Sequence, residues 1–226
     1  MNLTIAVAAS NGITITASMV CCVAYLYKHR WQHLKARPLV ASTLIITLTI
    51  LTFGTQVAYP EVLQALRRDL VGLKAGEWWR LVTPLFVQPG GVFQFLFNMM
   101  FLIVLLPMGE RLYGARIWAL FFVPGVVGQL VNYAWGASGL GGSSTAVFGV
   151  MGSVLVYVLW YRKSAPIQYP VFAGFGICGA VVMCFTRDGH GPGLLTGAAL
   201  ATLICWLSPQ EQPNNALQAT CEDARA

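Results

Sequence analysis

The chain has 226 residues, of which 57% are hydrophobic and only 10% charged, and its net charge is +6. Soluble domains carry about a quarter charged residues, so this composition excludes an ordinary soluble domain and points to a membrane protein. The basic excess does not indicate a nucleic-acid partner, because the basic residues are distributed as membrane topology would place them.

A helix needs about 20 mostly apolar residues to cross the hydrocarbon core. Seven segments qualify: roughly 4–27, 39–58, 91–108, 115–135, 144–161, 166–185 and 190–207. The fifth and seventh are short, which a small tilt or a thin membrane accommodates. The runs are continuous rather than alternating in polarity, which favours helices over a β-barrel. The first begins "MNLTIAVAASNG", without the basic n-region of a signal peptide, and reads as a retained span. Lys28, Arg30, Lys35 and Arg37 follow it. If that loop is cytoplasmic, alternation puts nine basic residues inside and five outside, in keeping with the positive-inside rule. The amino terminus then faces out and the carboxy terminus lies in the cytoplasm.

Residues 59–90 form the one long connection. Val62, Leu63, Leu66, Leu70 and Leu73 recur at helical spacing there, which predicts an amphipathic helix in part of it. Trp78 and Trp79 suit the membrane–water interface. The tail 209–226 is polar and is expected to be disordered. Cys21, Cys22, Cys178, Cys184, Cys205 and Cys221 show no CxxC or Cys/His ligand spacing. They are expected to be buried small apolar residues, with no metal.

Polar groups inside a membrane are costly, so each is a candidate for function. No predicted span carries an intramembrane Asp, Glu, Lys or Arg, Arg116 falling at the inner end of the fourth, which makes a transporter the least favoured class. Of three histidines, His29 and His33 sit in the basic loop and only His190 stands at a membrane segment, at the outer end of the seventh span. Ser144 stands at the outer end of the fifth, in "GLGGSSTAVFGVMG". A serine hydroxyl needs a base to become a nucleophile, and histidine is the usual one. For acyl chemistry the pair Ser144–His190 is nearly forced. Gly193 and Gly197 would let the seventh span approach its neighbour closely, and Gly149 and Gly152 give the fifth a small surface. Phe148, one turn from Ser144, could pack on the imidazole. Gln94 and Asn98 share one face of the third span and can donate to an oxyanion. Gln129 and Asn132 are assigned to structure. A helix cap at Ser144, plain packing at the glycines and an interhelical amide pair at Gln94 and Asn98 are the competing readings.

The ordered blocks "EWWRLVTPLF" (77–86), "FQFLFNMMFL" (93–102), "GERLYGAR" (109–116), "GGSSTAVFGVMG" (141–152) and "HGPGLLTG" (190–197) resemble those of rhomboid intramembrane serine proteases, over roughly residues 40–207. The resemblance implies a six-helix core at 38–208, preceded by an extra transmembrane helix and basic loop at 1–37. It implies Ser144 as nucleophile, His190 as base, and Asn98 with the backbone N–H of Ser144 as oxyanion donors, Gln94 standing as a further donor where the family has a histidine. Phe148, Gly193 and Gly197 would pack the dyad. It implies cleavage of membrane-protein substrates in or near their transmembrane segments, without cofactor, in a bilayer such as a bacterial inner membrane, with the active site toward the outer side. Thr145 replaces the family's usual glycine, and Gln94 and Gln88 stand where histidines are common. These departures keep open an inactive relative that binds transmembrane segments. A rhombosortase-like processing protease is a further alternative. Oligomeric state is not readable.

Overall fold

The computed structural model describes residues 3–29, 38–136, 141–161 and 165–207. Seven long helices among them coincide with the seven apolar segments. They are α1 (Leu3–His29), α2 (Val40–Ala58), α5 (Gly91–Tyr113), α6 (Ile117–Ala134), α7 (Ser144–Trp160), α8 (Gln168–Phe185) and α9 (His190–Leu207). Two short helices, α3 (Pro60–Leu66) and α4 (Leu70–Lys74), lie between α2 and α5. No strand occurs among the described residues. The protein is an all-α integral membrane protein. α2, the run holding α5 and α6, α8 and α9 are long and apolar enough to span a bilayer, while α7 has only 17 residues. The tail 209–226, Cys221, and Arg30, Lys35 and Arg37 of the basic loop lie outside the described residues.

α7 is the centre of the molecule. Twelve of its 17 residues are buried, and α5, α6, α8 and α9 pack around it. Helices in lipid gain little from apolar burial against each other, so close backbone approach and van der Waals packing hold them together. Gly149 shows this: Pro124 of α6 presses on it, and Gly197 of α9 approaches its carbonyl. α1 lies along α8, burying Ile15, Met19, Cys22 and Leu26, a stripe at helical spacing.

α2 is peripheral and is held at both ends by polar contacts. At its start, the Glu110 carboxylate accepts the backbone N–H groups of Ala41 (2.9 Å) and Ser42 (2.7 Å) and the Ser42 hydroxyl (2.5 Å). An anion at a helix amino terminus satisfies donors that the helix itself cannot. Glu110 lies just beyond the predicted span 91–108, in a helix that is longer than that span. α5 runs on past residue 108 to Tyr113, where Gly114 (φ 62) ends it, and so carries the buried Glu110 within it. Glu110→Ala should lower stability by about 2–3 kcal/mol, since it strands buried donors; thermal unfolding in detergent measures this.

The helix expected in part of 59–90 occurs as two short ones, α3 and α4. Asp69 interrupts it, its carboxylate accepting the Val71 N–H (3.1 Å) to cap α4. The buried Arg80 holds the segment together, donating to the carbonyls of Gln64 (3.0 Å) and Arg67 (2.9 Å) and pairing with Glu77. Arg68 donates to Gln129 of α6 at 3.1 Å, and Asn132 bonds the Gly128 carbonyl at 2.7 Å, so both α6 amides make structural contacts. Trp78 and Trp79 face outward. The cysteine expectation holds for Cys22; Cys178 is exposed, and Cys21, Cys184 and Cys205 are half-buried. On a helix facing lipid, an outward side chain still meets an apolar medium, so burial in protein is not required of an apolar thiol.

Candidate active site

Ser144 is the first residue of α7 and His190 the first of α9. The two helices cross at backbone contact. A Cβ at Gly193 would strike the Thr145 carbonyl, and one at Gly197 the Gly149 carbonyl. This crossing sets Phe148 against His190, with ring centroids 4.7 Å apart and planes at 39°. Ser144, Phe148, His190, Gly193 and Gly197 thus gather at one crossing. Ser144 and His190 are half-buried. Among the described residues the Ser144 hydroxyl makes no hydrogen bond; catalytic hydrogen bonds are often long before substrate binds.

His190 has a partner that sequence reasoning missed. Its Nδ1 lies 2.6 Å from the Asp188 Oδ1, and that oxygen also accepts the His190 backbone N–H at 3.0 Å. Burial pushes the Asp188 carboxyl up, but the hydrogen bonds and charge of His190 outweigh it and hold the group below its ordinary value. Asp188 therefore stays ionised at neutral pH. An aspartate in a four-residue loop matches no motif; its only signal was its place two residues before the membrane histidine.

The predicted oxyanion donors converge on the glycine turn before Ser144. Gln94 Nε2 donates to the Gly141 carbonyl at 2.8 Å, and its Oε1 accepts the Gly90 N–H at 2.6 Å. Asn98 Nδ2 donates to Gln88 Oε1 at 2.7 Å. Gly142 adopts φ +128, a region that favours glycine. A Cβ there would strike Gln94 Nε2 and sit 3.3 Å from Asn98 Nδ2. Each amide nitrogen has a second N–H beyond the one engaged, close to the nucleophile's own turn. Gln88 completes the network: its backbone N–H and C=O pair with the Gln56 side chain of α2 at 2.9 and 2.8 Å. Its Nε2, the Ser143 hydroxyl and the Thr145 hydroxyl are buried without partners, which suits a place that water or a polar ligand visits.

Thr145 packs against α6. Its Cβ and Cγ2 lie 3.0 and 3.2 Å from where a Cβ on Gly128 of α6 would stand. The missing glycine of α7 is thus matched by a glycine on the neighbouring helix. Gly128→Ala should destabilise by about 1–2 kcal/mol through overpacking. Adding Thr145→Gly should recover part of that loss, a coupling of about 1 kcal/mol in a double-mutant unfolding cycle.

A cavity of about 620 Å³ opens beside His190. Phe97 and Phe101 of α5, Phe148 and Met183 line it, and α1 contributes Gly12 and Thr16. It is a largely apolar groove whose lining includes the imidazole of His190 and Asp188, and it is suited to an apolar segment.

A family model described as the Rhomboid domain matches residues 75–207. "Putative rhomboid protease YdcA" of Bacillus subtilis is 31% identical over 185 residues, covering 74% of this chain and 88% of that protein. "Rhomboid protease GluP" of the same organism is 30% identical over 138 residues, 57% of this chain but only 26% of its own length. "Rhomboid-like protease 2" of Toxoplasma gondii is 28% identical over 184 residues, 74% of this chain and 65% of its own. The chain thus spans about a quarter of one of these relatives and most of another.

Proposed function

The chain belongs to the rhomboid family, and from that premise we propose that it is a serine-type endopeptidase cleaving membrane-protein substrates in or near their transmembrane segments. The observation that carries this reading is the crossing of α7 and α9. It gathers a serine, a histidine with its Nδ1 already engaged, and a ring that restrains the imidazole. His190 Nε2 takes the proton of Ser144 as the Oγ attacks the peptide carbonyl. The amides of Asn98 and Gln94, with the backbone N–H of Ser144, stabilise the oxyanion. The protonated imidazole passes its proton to the leaving amine, and water resolves the acyl-enzyme by the same route reversed. No cofactor is called on. The extra helix, the bacterial inner membrane and an active site opening toward the outer side belong to this reading. The packing of Thr145 against Gly128 supports an active enzyme over an inactive relative, because the departure from the family's glycine is absorbed by α6.

The test is cleavage of a reporter transmembrane substrate by the full chain in proteoliposomes, with labelling of Ser144 by a fluorophosphonate. Turnover and labelling that both vanish in Ser144→Ala support the reading. Binding of the reporter without any product, in wild type and variant alike, would establish the inactive relative instead.

A further inference from the structure

We propose that Asp188 is a positioning residue for His190, fixing the ring and its tautomer so that Nε2 is the basic nitrogen offered to Ser144. The inference rests on the reading that Ser144 and His190 carry the chemistry. It adds a third member to a pair.

The geometry is specific. One carboxylate oxygen takes both the backbone N–H of His190 and its ring Nδ1, at 3.0 and 2.6 Å. An ionised carboxylate only accepts, and a neutral imidazole has one N–H. The proton therefore sits on Nδ1, and the lone pair on Nε2. Two anchored atoms set the ring's rotation, and Phe148 on its face restrains the tilt.

The backbone that carries the carboxylate is itself held in place. The Asp188 N–H donates to the Met183 carbonyl at 2.9 Å, and its own carbonyl accepts from Gly191 at 3.1 Å. The next residue, Gly189, sits so close to the side-chain amide of Asn132 that a Cβ would strike it. The loop is thus fastened to both α8 and α6. Arg187 precedes Asp188 in the chain, and Cys184 of α8 is a further titratable group near it.

In the reaction the Ser144 proton moves to Nε2 while the Nδ1 proton stays in place. The imidazole becomes a cation beside a carboxylate that remains ionised. A buried aspartate in this role in soluble serine proteases is worth about 10⁴ in kcat. The Asp188 side chain is 30% exposed and that of His190 37%, so solvent screens the pair and the effect should be smaller.

Asp188 also accepts the N–H of His190 at the start of α9, so loss of that helix-end contact has to be separated from loss of the pair. Asn and Ser are both good caps but carry no charge. In proteoliposomes, Asp188→Asn and Asp188→Ser should lower kcat about 10- to 100-fold with KM little changed, a partial loss relative to the fully buried case. Asp188→Glu should recover part of it. Imidazole ¹⁵N shifts in histidine-labelled protein should show the neutral His190 protonated at Nδ1 in the wild type and shifted toward Nε2–H in Asp188→Ser. The proposal is overturned if Asp188→Ser and Asp188→Asn keep wild-type kcat and tautomer. It is equally overturned if kcat falls only in step with folded protein. Should Ser144→Ala retain turnover, the underlying reading fails, and the tautomer shift still decides whether Asp188 positions the ring.

Discussion

Ser144→Ala, His190→Ala and the double variant should each reduce cleavage of a reporter transmembrane substrate by the same factor, on the order of 10⁴ or more. A nucleophile and its base act as one unit: without the base the hydroxyl keeps its proton, and without the hydroxyl the base has nothing to activate. Losses that multiply would mean two independent contributions and would sink the dyad. Any residual rate should depend on Asn98, since an oxyanion donor works whichever nucleophile attacks. Asn98→Ala in the wild-type background should cost roughly 10²–10³ in kcat. That variant also removes the bond that Asn98 makes to Gln88, so its folded fraction must be measured beside its rate.

The second large effect is structural. Gly197→Ala should destabilise the protein by about 3 kcal/mol or more, at the upper end of overpacking costs. The added methyl would strike the Gly149 carbonyl oxygen and sit 2.5 and 2.6 Å from that residue's carbonyl carbon and Cα. The obstacle is backbone, with no flexible side chain to move aside, so α7 and α9 must part. Pro124 backs Gly149 from the other side, which blocks an easy retreat. Gly174→Ala supplies the control, since a Cβ there meets nothing within 4 Å. Unfolding of the two variants in a detergent titration should separate them clearly. A Gly197→Ala protein as stable as Gly174→Ala would mean the crossing is looser than described.

The helices were legible because lipid demands long apolar runs, and the observed bounds fall within a few residues of the sequence reading. α9 matches at both ends. The exception at the end of α5 has a physical cause: Glu110 looks like a loop residue until its role in capping α2, about 70 positions away, is seen. Ser144, His190 and the glycines were legible because few polar groups occur in the spans and helical spacing ties them together. The polar supports were not. Gln56 and Gln88 lie 32 residues apart, and nothing in either segment announces the other. Asp188 belongs to a loop, where spacing carries little information. Thr145 read only as a departure from the family's glycine, because what it packs against, Gly128, is on another helix.

The shortness of α7 has a consequence for water. Seventeen residues rise about 26 Å, against a hydrocarbon core of about 30 Å. The central helix is about 4 Å shorter than the core is thick, so one of its ends lies below a face of the bilayer, and in the proposed reading that end is Ser144. Hydrolysis there depends on water that must be drawn below the surface and kept. The buried, unpartnered Ser143 hydroxyl and Gln88 amide nitrogen offer it hydrogen bonds close to that recess. The helix's length thus makes hydration, as much as nucleophilicity, a property the fold has to supply.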